Sequence, residues 1–205
     1  MRLPRAWFLP ETHDVLGTLT AQLDIVLTVI GVLRAWCAGT GEEEDTIGQL
    51  HSLLATEHET RRRLHTQVRS SFSTPLAAED LFELTERLGA VSERAYGVVR
   101  EAELSRTDPD PRLGQQVEAI AAAMTPLGAA IRALPDSHAA PLADEALEQL
   151  TLAEHAYREA IADLESETDL RRELRRREQY RRCELLAEAV QHLARRTWYA
   201  VYKSQ

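Results

Sequence analysis

Apolar residues return at steps of three and four through almost the whole chain, and that rhythm restricts it to one kind of fold. Leu81, Leu84, Leu88, Val91, Ala95 and Val98 form the clearest run. This spacing lays side chains along one face of a helix. Strand-favouring residues are scarce, whereas Ala, Leu, Glu and Arg dominate, so helix is the expectation throughout.

Breakers cut the rhythm at few places. Glu11 to Ala38 reads as a first helix, stopped by Gly39-Thr40-Gly41. A second opens on the run Glu42-Glu43-Glu44-Asp45, whose negative charge suits a helix N-terminus, and continues to about Ser70. The third is expected from about Pro75 to Ser105, with Pro75 in its first turn, where a missing N–H costs nothing. The fourth runs from about Pro111 to Leu134 with a bend at Pro126. Pro135 to His138 makes a loop. From Leu142 the pattern is helical almost to the end, as two helices joined near Glu165 to Arg177.

Six long helices without strands make a bundle. Asp108-Pro109-Asp110-Pro111 is the strongest break, and three helices lie on each side of it. The expected architecture is all-α: a single domain of two three-helix bundles, about 11–106 and about 111–205.

At 205 residues the chain is long enough to bury a real core. Its net charge of -9 argues against general nucleic-acid binding. Cys37 and Cys183, the only cysteines, stand far apart in sequence and match no metal or redox spacing. They read as reduced thiols of a cytosolic protein. The N-terminal residues lack a secretory apolar region. The greasiest run, Ile25 to Leu33, falls short of the roughly 20 residues of a membrane span and reads as a buried helix. No Gly-rich phosphate loop, nucleophile elbow, His-Glu-x-x-His or paired Glu-x-x-His occurs. An enzyme is not expected.

Two patterns invite chemistry. His51, His58 and His65 recur every seven residues and share a helix face. Neighbours in that series are about 10 Å apart along the axis, too far to share one metal. They could respond to pH near neutrality, or simply edge the packed face beside Leu50, Leu54 and Leu64. Between Leu170 and Arg196, nine Arg stand against four Glu. Arg171, Arg172, Arg175, Arg176 and Arg182 of that stretch are candidates for docking an acidic protein surface or anionic lipid. A solvated, internally paired helix face accounts for the same residues.

Two blocks carry a resemblance. One is the turn Phe72-Ser73-Thr74-Pro75 followed by Glu79-Asp80-Leu81 and Leu88; the other is Glu178 to Lys203 with Tyr180, Glu184 and Glu188. Together they resemble the PhoU-like phosphate transport regulators that accompany Pit-type transporters, over roughly Phe8 to Lys203. The resemblance implies a PhoU-like fold and a phosphate transporter as partner. It places the protein in the cytoplasm or at the inner face of the membrane, and leaves self-association open.

It also implies four acid pairs at i, i+4, two in each half, able to hold a metal. Counted back from Phe72, the first pair falls on Leu54 and His58; the second falls on Gly89 and Glu93. The third falls on Leu150 and Glu154, and only the fourth, Glu184 and Glu188, is complete. The first half therefore keeps His58 and Glu93. In the second half, Glu154, Glu184 and Glu188 could hold a divalent or iron-type metal, with solvated surface acids as the alternative. Glu57 and Arg61 break the count to Phe72, and Glu165 and Asp169 fall in a connection, so both are set aside.

Overall fold

In the computed structural model, which describes residues 14–40 and 43–204, six helices account for most of the described residues. They are α1 (Val15–Cys37), α2 (Glu43–Ser70), α3 (Ala78–Ser105), α4 (Pro111–Ala133), α5 (Ala139–Asp163) and α6 (Leu170–Ser204). One 3-10 turn, Leu164–Ser166, joins the last two, and no strand occurs among the described residues. The expected helical residues 11–13, together with Gly41 and Glu42, lie outside the described residues.

Local chemistry fixes most ends. Asp14 caps α1 by accepting from the Gly17 N–H at 2.8 Å. Beyond the other end of α1, Gly39 adopts a φ of 66°, which glycine takes without a Cβ clash. Asp110 caps α4 by accepting from the Leu113 N–H at 2.9 Å, with Pro111 in the first turn.

Three boundaries differ from the sequence reading. α3 opens at Ala78, so Pro75 lies in the preceding turn, where the Thr74 hydroxyl donates to the Leu76 carbonyl at 2.6 Å. Ala77 offers no capping side chain, and Glu79 and Asp80 supply the first-turn charge. α5 begins at Ala139 rather than Leu142. The joint before α6 is confined to residues 164–169, because Asp169 accepts from the Arg171 N–H at 2.9 Å and starts the helix early. Arg171 to Arg177 are thus helical. α4 runs through Pro126 as a single helix.

Packing follows one plan twice. α1, α2 and α3 pack on one another, as do α4, α5 and α6. Between the two triplets, α1 meets α4 and α3 meets α6, so α1, α3, α6 and α4 close a ring. α2 and α5 lie outside it, each packed only on its own triplet. Leu23, Leu33, Leu88, Val91, Leu127 and Val190 are all fully buried. Side chains of this size each gain about 1.5–3 kcal/mol from leaving water. By length and composition α1 is apolar enough to cross a membrane; here it packs against α2, α3 and α4.

Ion pairs stitch the triplets together, two at the exposed rim and one largely covered. Arg34 meets Glu118 at 2.6 Å, Arg132 meets Asp24 at 2.5 Å, and Arg196 meets Asp80 at 2.5 Å.

Candidate functional sites at the two outer seams

The seam between α2 and α3 holds a cluster of charges around a buried carboxylate. Glu57 is fully buried. Its phase explains why: Glu57 sits seven residues from both Leu50 and Leu64, which are themselves fully buried. The Gln22 side chain of α1 donates to Glu57 Oε1 at 2.7 Å and to the Thr85 carbonyl at 2.8 Å. The Thr85 hydroxyl donates to Gln22 Oε1, so the amide is held from both sides. Glu57 Oε2 has no hydrogen-bond partner. Burial pushes the Glu57 carboxyl above its ordinary value, opposed by the Gln22 bond and by the charges of Arg61 and His58.

Arg61, one turn further along α2, reaches into the same cluster. Its guanidinium lies 3.1 Å from Glu93 Oε1, 3.6 Å from Glu86 Oε2 and 3.7 Å from Glu57 Oε2. Opposite it on α3 is Gly89. A Cβ there would fall 2.8 Å from Arg61 Cζ and 3.1 Å from Glu57 Oε1, so the glycine leaves the space that the arginine fills. His58 Nε2 stands 3.4 Å from Glu93 Oε1 and 3.8 Å from Glu57 Oε2. His65 Nε2 stands 3.3 Å from Glu86 Oε1, with its ring stacked on Phe82. His51 is exposed.

The residues that the structure sets opposite Gly89 and Glu93 are not those reached by the count from Phe72. Glu57 and Arg61, set aside in the sequence reading, face Gly89 and Glu93. Leu54 instead packs against the core. Phe72 lies beyond the last residue of α2, in the irregular turn, and is 91% exposed. A count anchored there crosses non-helical chain and loses the helix register. His58 does reach Glu93, from beside the pair rather than within it. Gln22, Thr85 and Glu86 were missed, and Glu57 was named but set aside. The readable signal was the seven-residue step from Leu50 through Glu57 to Leu64.

The seam between α5 and α6 is open by comparison. Glu154, Glu184 and Glu188 line one cavity of about 240 Å³ together with Leu150, Thr151 and Gln191. Burial raises the Glu184 carboxyl, and the charges of Glu188 and then Glu154 raise it further, while Arg158 lowers it. Glu184 Oε2 is buried without a hydrogen-bond partner. Glu154 is paired with Arg158 on its own helix. Carboxylate oxygens around a cavity are donors suited to a hard cation. Among the described residues, however, no three His, Cys, Asp or Glu side chains are grouped closely enough to hold a metal ion. Glu165 falls in the 3-10 turn and Asp169 at the start of α6, away from this cavity.

Most of the arginine stretch of α6 is engaged within the chain. Arg172 meets Glu167 at 3.3 Å, Arg177 meets Glu173 at 3.1 Å, and Arg182 meets Glu178 at 2.8 Å and Glu101 at 3.7 Å. Arg176, largely covered, donates to the Asp108 carbonyl at 2.5 Å and pairs with Asp110 at 3.2 Å. It holds the connection between the triplets. Among the described residues Arg171 and Arg175 make no ion pair, and they are exposed beside Leu170 and Leu174.

The thiols are poor nucleophiles. Burial raises Cys37 to about 12 and puts Cys183 well above its ordinary value, each without a disulfide.

These features define an all-helical protein of two three-helix bundles joined through a four-helix ring, with a charged seam on each outer side. It has the PhoU-like fold. The chain superposes on a PhoU-like protein from Shewanella oneidensis MR-1 with a TM-score of 0.75, at 14% identity over 93% of this chain and 100% of that one. A second protein from that bacterium, described as a PhoU-like phosphate regulatory protein, superposes with a TM-score of 0.70, at 15% identity over 93% and 100%. No protein-family model and no curated protein matches the chain.

Proposed function

We propose that this chain is an accessory and regulatory protein of a Pit-type inorganic phosphate transporter, acting by protein–protein contact at the cytoplasmic face of the membrane and without catalytic turnover. The observation that carries this reading is the superposition, over 93% of this chain, on PhoU-like proteins, one of them described as a phosphate regulator. The unpaired, exposed Arg171 and Arg175 beside Leu170 and Leu174 supply a surface of the kind such docking uses. The test is gentle detergent extraction of native membranes followed by affinity capture of the tagged chain. A phosphate transporter should co-purify. Recovery of the chain alone, from membranes that contain the transporter, would overturn the reading.

A second reading is favoured by the stranded Glu184 oxygen in the α5–α6 cavity. On this reading Glu154, Glu184 and Glu188 take up a divalent or iron-type cation, water completing its shell. Elemental analysis of protein purified without chelator tests it. A stoichiometry near zero, unchanged by Glu184→Ala, would sink it.

A further inference from the structure

Residues from the end of α1, the start of α2 and the end of α3 line a cavity of about 450 Å³. That volume lies within the range of small-molecule sites, about 300–1,000 Å³. Trp36, Val99 and Ala102, all buried, join Ile47 as its apolar wall. Arg106 and Asp108 also line it and are exposed, so they mark its mouth. We propose that this cavity binds a small amphipathic monoanion, with its apolar body against Trp36 and its single anionic group on the Arg106 guanidinium. The inference does not depend on any transporter partner.

Two residues that line this cavity break local rules of helix chemistry. Arg106 ends α3 at φ 52° and ψ 52°, a left-handed conformation that glycine adopts freely and that strains any residue with a Cβ. Its N–H donates to the Glu103 carbonyl at 3.2 Å, and the Thr107 N–H donates to the Ala102 carbonyl at 2.9 Å. α1 ends in the same way with a glycine: Gly39 has a φ of 66°, and the Thr40 N–H donates to the Ala35 carbonyl at 3.1 Å. An arginine in the glycine position gives up stability, which points to a task for its side chain. The second break is Gly48, inside α2, where glycine weakens a helix. A Cβ on Gly48 would meet nothing within 4 Å, so packing does not demand the glycine. Its effect is to leave bare backbone on the α2 side of the cavity.

The charges at the mouth set the class of ligand. Glu103 is paired with Arg100 on its own helix. Arg106 makes no ion pair among the described residues, and a guanidinium stays charged at every pH that proteins survive. Its planar fork suits a carboxylate or sulfonate. Asp108, two residues on, repels a second negative charge, which disfavours inorganic phosphate and nucleotides. The indole of Trp36 favours an aromatic or alkyl body.

The experiment titrates anilinonaphthalene sulfonate, a fluorescent aromatic monoanion, into the intact chain and then adds decanoate. The chain should bind about one equivalent, which decanoate displaces and decyltrimethylammonium does not. Arg106→Gly removes the charge, and Gly48→Leu fills the cavity. Each should weaken binding at least about tenfold while melting at or above the wild-type temperature, because one relieves backbone strain and the other adds a good helix former. Damage to the scaffold would lower binding and melting temperature together, so the opposed directions single out a site. Lack of a saturable equivalent that decanoate displaces would overturn the proposal. So would binding that is unchanged in either variant, or lost only together with a fall in melting temperature.

Discussion

Arg196 of α6 donates to Asp80 of α3 at 2.5 Å, a bond between residues 116 apart in sequence that closes one corner of the ring. Asp80 is only 2% exposed, and Lys203 Nζ adds a weaker contact at 3.5 Å. Breaking a buried pair by removing one partner costs about 3–5 kcal/mol, and the remaining lysine puts Arg196→Met at the lower end of that range. Urea unfolding should show the loss as a reduced midpoint. Arg196→Met combined with Asp80→Leu should recover most of it, since no uncompensated charge is then left buried.

Asp110 carries three jobs at the junction between the triplets. It caps α4 through the Leu113 N–H, accepts the Tyr180 hydroxyl at 2.6 Å and pairs with Arg176 at 3.2 Å. Asp110→Ala should cost about 1 kcal/mol for the cap and about 1–3 kcal/mol for the stranded phenol. In a chain of this size that is a fall of on the order of 5–10 °C in melting temperature. Asp110→Asn, which keeps a capping oxygen, should lose distinctly less. Thermal scans by circular dichroism distinguish the two.

Glu184 sets a pH dependence whose sign follows from burial. Its folded carboxyl holds its proton to higher pH than the ordinary 4.5, because burial and the charges of Glu188 and Glu154 disfavour ionisation. Above 4.5 the unfolded chain releases that proton first, so the folded state binds more protons and stability falls as pH rises through the window. Glu184→Gln should raise stability at neutral pH and flatten the slope above pH 4.5. Chemical denaturation across a pH series reads this directly, and an unchanged slope would count against the buried geometry.

The exposed arginines separate docking from stability. Arg171→Glu with Arg175→Glu should shift unfolding by no more than about 0.5 kcal/mol, while sharply reducing capture on native membranes. Arg176→Glu should instead destabilise, because Arg176 is bonded to Asp110 and the Asp108 carbonyl.

The helices were readable because each follows from side-chain periodicity and a few breakers. Leu81 to Val98 announced a buried face, and Asp108 to Pro111 a break between α3 and α4. The α2–α3 site was not readable from the same signals. Glu57 is a charged residue in a buried phase, and Arg61 matters only because Gly89 stands across from it on another helix. Such pairings depend on how two helices are turned toward each other, which no single helix encodes. The Phe72 turn carries the resemblance that gives the fold, but it fixes no site position, because helical register is lost there.

The ring of α1, α3, α6 and α4 leaves α2 and α5 as cladding. α2 buries few apolar side chains, chiefly Leu50 and Leu64, and fixes itself with the polar knot at Glu57. α2 can therefore lift from its neighbours without dissolving the four-helix heart, as a local opening of lower free energy than global unfolding. Amide exchange should be faster in α2 than along the ring. A protein built this way can loosen its α2 flank while its centre stays folded.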